Sequence, residues 1–256
     1  MMDLRAVGFS YARGVGGLDS VTTRFGEGEL ISLTGPNGSG KSTLMKLMAR
    51  VLSPQQGEVR FLDQPIGEWD RREFARQTGY LPQEPEWLLP MRAIDVVLSG
   101  RAPFLGRFQW ESREDYALAE QALADCDATH LAGRLLEEMS GGERKRVFLA
   151  RVLAGQPRLI LLDEPLAALD LEHVQRFSQL LRSIVDSKGC TVVFISHDMN
   201  WSAACSDRML VMSRGRLAME GTPGEVMRPE VMLEYFGFRG EAIESADGRS
   251  WIVPSA

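Results

Sequence analysis

The residues best suited to chemistry lie in a glycine-rich loop, TGPNGSGKST, at positions 34–43. Its glycines and the adjoining Lys41 and Ser42 match the pattern of a loop whose backbone N–H groups hold the phosphates of a nucleotide. Lys41 can reach the β and γ oxygens, and Ser42 can ligate Mg²⁺. An apolar run precedes the loop and helically spaced apolar residues follow it, so an ordinary glycine turn is the weaker interpretation. The sequence therefore predicts a nucleoside triphosphate site, formed by Gly35, Pro36, Asn37, Gly38, Ser39, Gly40, Lys41, Ser42 and Thr43.

Two carboxylates follow another apolar run, in the stretch LILLDEP. Asp163 and Glu164 stand at the end of a predicted buried strand, where an open α/β sheet presents its ligand-binding groups. Asp163 can hold Mg²⁺, and Glu164 can polarise a water for in-line attack on the γ-phosphate. A surface turn is the alternative for Asp-Glu-Pro, and beside such a glycine loop it is the minor one. The pair predicts hydrolysis of the bound triphosphate.

Three further side chains are candidates because of where they stand in the chain. His197 follows the apolar run TVVFIS and, if the strands are neighbours, emerges at the same sheet edge as Glu164. That position favours a γ-phosphate contact over a purely structural histidine. Gln83, in YLPQEPE, is only a loop glutamine on composition, and Tyr11, in FSYARG, can stack on an adenine or cap a strand. The local pattern leaves Gln83 and Tyr11 undecided.

A second glycine pair lies in MSGGERKR, at positions 139–146. Ser140 as N-cap and Glu143 three residues later form a capping-box pattern, followed by apolar residues at helical spacing. Capping alone does not require Gly141 and Gly142. Glycines at a helix N-terminus allow an anion to approach the backbone closely, so the stretch predicts a helix start that can also meet a phosphate.

The elements that must position these residues alternate between strands and helices. Strands are predicted at 21–25, 29–35, 159–162 and 191–196, and the helix after the glycine loop is predicted to reach Val51 and Leu52. The stretch 92–136 predicts two helices, the second capped by Ser112 and Asp115. This order predicts an α/β fold with βαβ units and an inserted helical subdomain.

The C-terminal part predicts two hairpins separated by a helix start. MLVM and RLAME flank a turn at 213–215, and the Thr-Pro-Gly-Glu sequence at 222–225 begins a helix. The tail IESADGRSWIV alternates around Asp247 and Gly248, which a tight hairpin turn favours.

Composition excludes several classes of protein. The formal net charge of −6 and the pI near 5.3 give no basic footprint for nucleic acid. Cys126, Cys190 and Cys205 have neither metal-ligand spacing nor a pairing pattern, which favours reduced thiols in a cytosolic setting. The N-terminus does not resemble a signal peptide, and no apolar run approaches the roughly 18 residues of a membrane span. Any membrane role is therefore expected to be peripheral.

Taken in order, these segments resemble the nucleotide-binding subunit of an ABC transporter, and the resemblance covers nearly the whole chain. It implies that Tyr11 stacks on adenine, that 35–43 is Walker A, and that Gln83 is the Q-loop glutamine. It also implies that 140–143 is the signature. The remaining roles are Walker B and catalytic base for Asp163 and Glu164, the D-loop for Asp170, and the switch for His197.

The resemblance also implies an architecture and partners. We expect one ABC ATPase domain over 1–256, with a P-loop NTPase core, an antiparallel β subdomain, a helical insertion at 84–139 and a C-terminal hairpin extension at 240–256. ATP and Mg²⁺ are the implied ligands, with Ser42, Gln83 and Asp163 around the metal. In this family two copies pair head to tail, so that the signature of one closes over the ATP of the other. Permease subunits, and indirectly an extracytoplasmic substrate-binding protein, would complete the assembly at the cytoplasmic face of the inner membrane.

Two positions depart from the family's pattern. The signature reads MSGGE where LSGGQ is commonest, so Glu143 brings negative charge near a phosphate, and we expect this to be tolerated. The D-loop has Ala167 where a hydroxyl is frequent, which affects only the expected communication between the two ATP sites.

A shorter match concerns the transported substrate. The segment SGRAPFLGRF, at 99–108, resembles the ATPases of importers for ferric siderophores, haem or cobalamin, and it is expected to face the membrane subunits. A loop with incidental Arg, Pro and Gly is the alternative. The alternatives are an ABC-type ATPase of a different transporter class and one that serves no transporter. The latter usually carries a long coiled-coil insertion, a second ATPase copy or a basic surface, and none of these is visible in the sequence. A nucleotide-regulated binding module is a third reading, and Glu164 argues against it because a pure sensor needs no base.

Overall fold

The fold was analysed in a computed structural model of the chain, which describes residues 1–12, 16–83, 85, 90–166, 171–244 and 250–255. The chain divides into two compact units. The first unit comprises 1–69 and 191–256, and the second comprises 70–190.

Strands and helices alternate along the chain as expected. The strands are β1 (Met2–Ser10), β2 (Gly17–Phe25), β3 (Leu30–Thr34), β4 (Gln56–Phe61), β5 (Gln64–Pro65), β6 (Thr78–Leu81), β7 (Leu159–Asp163), β8 (Thr191–Ile195), β9 (Arg208–Ser213), β10 (Arg216–Gly221), β11 (Gly240–Glu244) and β12 (Ser250–Pro254). The α-helices are α1 (Lys41–Met48), α2 (Arg71–Gln77), α3 (Ala93–Leu98), α4 (Arg113–Asp125), α5 (Gly141–Ala154), α6 (Leu171–Lys188), α7 (Met199–Cys205), α8 (Pro223–Val226) and α9 (Pro229–Phe236).

In the first unit, β3 lies between two parallel strands. Leu33 is opposite Ile195 of β8 on one side and Leu210 of β9 on the other. All five residues of β3 are buried, which explains its uninterrupted apolar character. A separate antiparallel sheet has the strand order β2, β1, β4 and β5.

The predicted hairpins of the first unit are present. β9 and β10 pair antiparallel on either side of the turn at 213–215, and β11 pairs with β12. Asn200 holds β12 through two hydrogen bonds, donating from Nδ2 to the Ile252 carbonyl at 3.1 Å and accepting from its N–H at 2.8 Å. Ile252 thereby joins the buried cluster that contains Met209 and Val226. The predicted turn residues Asp247 and Gly248 lie outside the described residues.

In the second unit, β6 and β7 are parallel, with Leu81 opposite Leu162. The two helices expected in the stretch 92–136 are α3 and α4, and Ser112 caps α4 in a capping box with Asp115, as predicted. The second unit is wider than the predicted insertion at 84–139, because it also contains β6, β7, α5 and α6. The boundaries of a helical subdomain within it remain a proposal.

The helix after the glycine loop is shorter than predicted. It ends at Met48, so the expectation that it reaches Val51 and Leu52 is wrong. Arg50 adopts a left-handed φ of 57°, which an α-helix cannot continue through, and its guanidinium donates to the Trp69 carbonyl at 2.8 Å. Val51 is consequently 59% exposed.

Arg101 is buried, although the sequence placed it in a segment facing membrane subunits. Its Nε donates to Asp115 Oδ1 at 2.9 Å, its Nη1 donates to the Ala154 carbonyl at 3.0 Å, and its guanidinium lies 3.8 Å from the ring centroid of Phe104. This bond from Arg101, together with those from Ser112, lowers the pKa of Asp115 to about 2. Arg101 therefore anchors the 3₁₀ turn at 99–104 to α4 and α5.

We expect Asp115→Asn to lower the free energy of unfolding by about 3–5 kcal/mol, because it leaves the buried guanidinium of Arg101 unpaired. Since the pKa of Asp115 lies below its unfolded value, this contribution is complete above about pH 4 and is lost as the pH falls toward 2. Urea denaturation of both proteins across this pH range measures the difference.

The exposed pair of Arg76 and Glu73 supplies the control, since its N–O distance of 2.7 Å is similar but its side chains are 32% and 52% exposed. Glu73→Gln is expected to cost at most about 1 kcal/mol. Equal losses in the two variants would contradict the structural role of the Arg101 and Asp115 pair.

Among the described residues, no helix is both long enough and apolar enough to cross a membrane.

Candidate active site

The glycine-rich loop leaves β3 through a conformation that only glycine tolerates. Gly35 has a φ of 138°, and a Cβ at this position would lie 2.1 Å from the Met212 carbonyl oxygen. Gly40, with a φ of 104°, is the N-cap of α1 and offers no side-chain cap. The first N–H groups of α1 therefore lack a capping side chain, which suits an incoming anion.

Lys41 and Ser39 of this loop are both buried. Lys41 Nζ donates to the carbonyl oxygens of Gly35 at 2.7 Å and Pro36 at 3.0 Å, so the ammonium group lies folded over the loop. The hydroxyl of Ser39, a residue only 2% exposed, has no hydrogen-bond partner in the described part of the chain. A buried donor without a partner is costly, and a phosphate oxygen would satisfy it.

The turn between β9 and β10 contacts the phosphate loop through backbone hydrogen bonds. Gly215 N–H donates to the Ser39 carbonyl at 3.0 Å, and the Gly215 carbonyl accepts from Asp19 N–H at 2.8 Å. Sequence reasoning predicted this turn as a hairpin and missed its contact with the phosphate loop. Gly215 marks the turn in the sequence, and its φ of 79° fits such a turn. A glycine alone does not predict a contact with another loop.

Tyr11 stands at the end of β1 beside this loop. Its ring packs edge-on against Phe9 with centroids 4.9 Å apart, and its hydroxyl lies 3.3 Å from Thr43 Oγ1. It is 39% exposed, near a cavity of about 390 Å³ whose lining includes Phe9 and Gly38. Tyr11 is thus partly exposed beside the phosphate loop, and its stacking on an adenine remains a prediction.

His197 lies two residues beyond β8 and is exposed. Because Leu33 and Ile195 are partners in parallel strands, His197 and Gly35 follow their strands at the same sheet edge. His197 is therefore placed at the edge from which the phosphate loop begins. Its predicted γ-phosphate contact remains a prediction.

The two carboxylates of LILLDEP are held differently. Asp163 is the last residue of the fully buried β7 and is 3% exposed. Glu164 follows in a left-handed conformation with a φ of 51°, and its Oε2 accepts from Gln83 Nε2 at 2.8 Å. The structure thus brings together the predicted base and the predicted Q-loop glutamine, which are 81 residues apart in sequence.

A further contact to Glu164 was not predicted. Lys145 Nζ, from the second turn of α5, donates to the Glu164 carbonyl at 3.0 Å. Lysines are common on helix surfaces, so nothing in the local pattern indicates that Lys145 reaches the end of β7.

The start of α5 confirms the local prediction of a capping box. Ser140 Oγ accepts from Glu143 N–H at 3.2 Å, and Glu143 Oε2 accepts from Ser140 N–H at 2.7 Å. These bonds to Ser140 lower the pKa of Glu143, and the Arg134 guanidinium, 3.0 Å from Oε1, lowers it further. The sequence did not predict the contact from Arg134. Its positive charge neutralises Glu143 beside Gly141 and Gly142, which supports the expectation that the negative charge of Glu143 is tolerated at the signature.

The stretch 99–108 that matches importers is exposed at 106–108, and the exposure continues through 110. Phe108 and Trp110 are 92% and 86% exposed, and the guanidinium of Arg107 lies 5.9 Å from the Phe108 ring centroid. Of the other positions singled out by the family pattern, Ala167 and Asp170 lie outside the described residues.

Comparison with known proteins shows similarity over most of the chain. The sequence model described as ABC transporter matches residues 18–167. The hemin import ATP-binding protein HmuV of Rhodococcus jostii (strain RHA1) is 38% identical over 253 residues, which cover 98% of this chain and 86% of the relative.

Two solved structures extend the similarity to the fold. One, assigned to a metal-chelate type ABC transporter in an inward-facing conformation, has a TM-score of 0.85 and 27% identity, covering 100% of this chain and 97% of that chain. The dimeric post-hydrolysis structure of the ATP-binding cassette MJ0796, bound to ADP and Pi, has a TM-score of 0.78 and 28% identity, covering 87% and 99%. The predicted P-loop NTPase fold of ABC ATPase type is thus confirmed.

Proposed function

Because this chain belongs to the ABC transporter family and is an ATP-hydrolysing subunit of that family, we propose that it powers the import of a metal chelate, with hemin as the first candidate. The observation that carries the proposal is the 38% identity to a hemin import ATP-binding protein over 98% of the chain. The fold similarity to a metal-chelate type transporter supports the same class of substrate. Ferric siderophores and cobalamin are the alternatives within that class.

In the proposed reaction, the phosphate loop binds the triphosphate of ATP and Tyr11 stacks on the adenine. Lys41 exchanges its bonds with the Gly35 and Pro36 carbonyls for bonds with phosphate oxygens. The exchange keeps the ammonium group hydrogen-bonded throughout, so binding does not pass through an unpaired buried charge. Ser39 supplies a hydroxyl that has no hydrogen-bond partner among the described residues, so it gives up no bond.

Ser42, Gln83 and Asp163 are the residues proposed to hold Mg²⁺. Their hydroxyl, amide and carboxylate oxygens are the hard ligands that this ion prefers. Gln83 donates from Nε2 to Glu164, so its Oε1 can serve as a ligand while that bond is kept. Mg²⁺ would supply positive charge against the β and γ oxygens of ATP.

Glu164 is the proposed general base. Its carboxylate accepts a hydrogen bond from Gln83, which orients it for taking a proton from an attacking water. His197 is proposed to contact the γ-phosphate. Hydrolysis then yields ADP and phosphate without a covalent intermediate on the protein.

The second glycine pair is proposed to act in a dimer of this chain. A head-to-tail pair would present Ser140, Gly141 and Gly142 of one copy to the ATP held by the other copy. Gly141 and Gly142 carry no side chain, so the α5 backbone beside the Ser140 cap is open to an anion, and Arg134 offsets the charge of Glu143 there. The dimeric arrangement of MJ0796 in its solved structure supports this assembly.

Permease subunits in the inner membrane are the proposed partners of the exposed segment 106–110, which would hold the chain peripherally at the cytoplasmic face. An extracytoplasmic substrate-binding protein is proposed to deliver the chelate to the permease. No nucleic acid is expected among the partners, in keeping with the net charge of −6.

The transport proposal is tested by iron-limited growth. A strain lacking this chain is expected to lose growth on hemin as sole iron source and to keep growth on ferrous salts, and the wild-type chain is expected to restore it. Loss of growth on a siderophore alone would replace hemin by that chelate. Unchanged growth on every chelate would contradict metal-chelate import.

We expect Arg107→Ala to uncouple the chain rather than inactivate it. Its side chain is exposed and stands in the segment proposed to meet the permease. ATPase activity of the purified subunit should stay near the wild-type value, while chelate uptake in cells falls.

Arg24→Ala is the control for Arg107→Ala, since it removes the same charge from an exposed position on β2. It should leave both activities unchanged. Loss of ATP binding in isolated Arg107→Ala would show that the segment is wrongly assigned.

A further inference from the structure

Glu164 has an unusual backbone conformation for its residue type. Its φ of 51° lies in the left-handed region, which a side chain with a Cβ rarely adopts. Such a conformation is energetically unfavourable and persists only where its surroundings hold it. The backbone of Glu164 therefore needs a partner that fixes the direction of its peptide groups.

Lys145 provides such a partner. Its Nζ donates to the Glu164 carbonyl at 3.0 Å, within the second unit. A hydrogen bond from a charged donor is stronger than one between neutral groups, so it can offset the unfavourable left-handed backbone. The side chain is partly buried, and this burial lowers the pKa of Lys145 while the charge of Glu164 opposes the change.

The carboxylate and the carbonyl of Glu164 are thus held separately. Gln83 binds Oε2 at 2.8 Å and Lys145 binds the carbonyl oxygen. Two fixed points on one residue determine where its carboxylate lies. A displacement of about 1 Å at a reacting group can cost about 100-fold in rate, so this fixation matters for a base.

We propose that Lys145 is a positioning residue for the base Glu164, a role that rests on the proposed function of Glu164. Lys145 acts on the backbone carbonyl and not on the carboxylate that takes the proton. Removing Lys145 allows the strained peptide to relax, and the carboxylate then leaves its position over the attacking water.

The test compares Lys145→Met with Arg144→Met in the full-length protein. Met keeps much of the length and apolar stem of Lys but cannot donate, and Arg144 is an exposed neighbour on α5 whose replacement changes the charge equally. We expect Lys145→Met to lower kcat on the order of 10- to 100-fold with an unchanged Kd for ATP. Arg144→Met should keep the wild-type kcat, and Lys145→Arg should recover most of it.

A double variant separates positioning from a general loss of structure. In a Glu164→Gln background, Lys145→Met is expected to cause no further loss of rate, because residues that act as a unit are not additive. Thermal denaturation and the Kd for ATP report whether the single variant is folded.

Each outcome bears on a different claim. A wild-type chain without ATPase activity would contradict the proposed function itself. An active wild type with equal kcat in Lys145→Met and Arg144→Met would overturn only the positioning role. The role would also fail if kcat fell merely in proportion to the folded fraction, or if the two lesions were additive.

Discussion

Glu164→Gln is expected to bind ATP normally and to lose most of its turnover. The amide has the shape of the carboxylate and can still meet Gln83, but it cannot accept a proton from water. A positioned general base contributes about 100- to 10,000-fold, so we expect kcat to fall by a factor in that range. The Kd for ATP should stay close to the wild-type value, since Glu164 is proposed to act on the water and not on the nucleotide.

Steady-state phosphate release and equilibrium ATP binding measure these two quantities. Glu114→Gln removes an exposed carboxylate from the first turn of α4 and serves as the matched control. Near-normal ATPase activity in Glu164→Gln would remove Glu164 from the role of base.

Local sequence pattern was sufficient for the parts of the site that are continuous in the chain. The phosphate loop is such a part, because strand, glycines and helix follow one another within residues 30–48. The capping boxes at Ser112 and Ser140 are others, since each needs only two residues three apart. These features depend on backbone geometry that neighbouring residues dictate.

Contacts between distant segments could not be predicted in the same way. The contacts of Lys145 and Arg134 were missed because a charged residue on a helix or loop is expected to be solvated. Local sequence does not show which partner the fold brings to it. Arg101 was assigned to an exposed surface for the same reason, although Asp115 and Ala154 bury its guanidinium. The end of α1 was also missed, because the left-handed Arg50 is stabilised by the remote Trp69 carbonyl.

The second large effect concerns the composite site. In a head-to-tail dimer, each ATP lies between Lys41 of one copy and Ser140 to Gly142 of the other. Lys41→Ala removes a charge from the phosphates, and Gly142→Asp sets a carboxylate where a phosphate must approach the helix N-terminus. Either change alone therefore damages both sites of a homodimer and should abolish stable ATP trapping.

Mixing the two mutant proteins is expected to restore one site. One site of the mixed dimer then combines both lesions, and the other pairs an intact Lys41 with an intact Gly142. If each chain used its own signature, every site would stay damaged after mixing. The arrangement of the intact residues thus distinguishes a shared site from a self-contained one.

The most direct test of the shared ATP site is ATP occlusion in separately tagged, co-purified mixed dimers. Slow-turnover conditions are used, so that a single site need not cycle. We expect the Lys41→Ala and Gly142→Asp homodimers to trap no ATP and the mixed dimer to trap one ATP per dimer. Mixed dimers that form and yet hold no more ATP than either mutant homodimer would contradict the shared site.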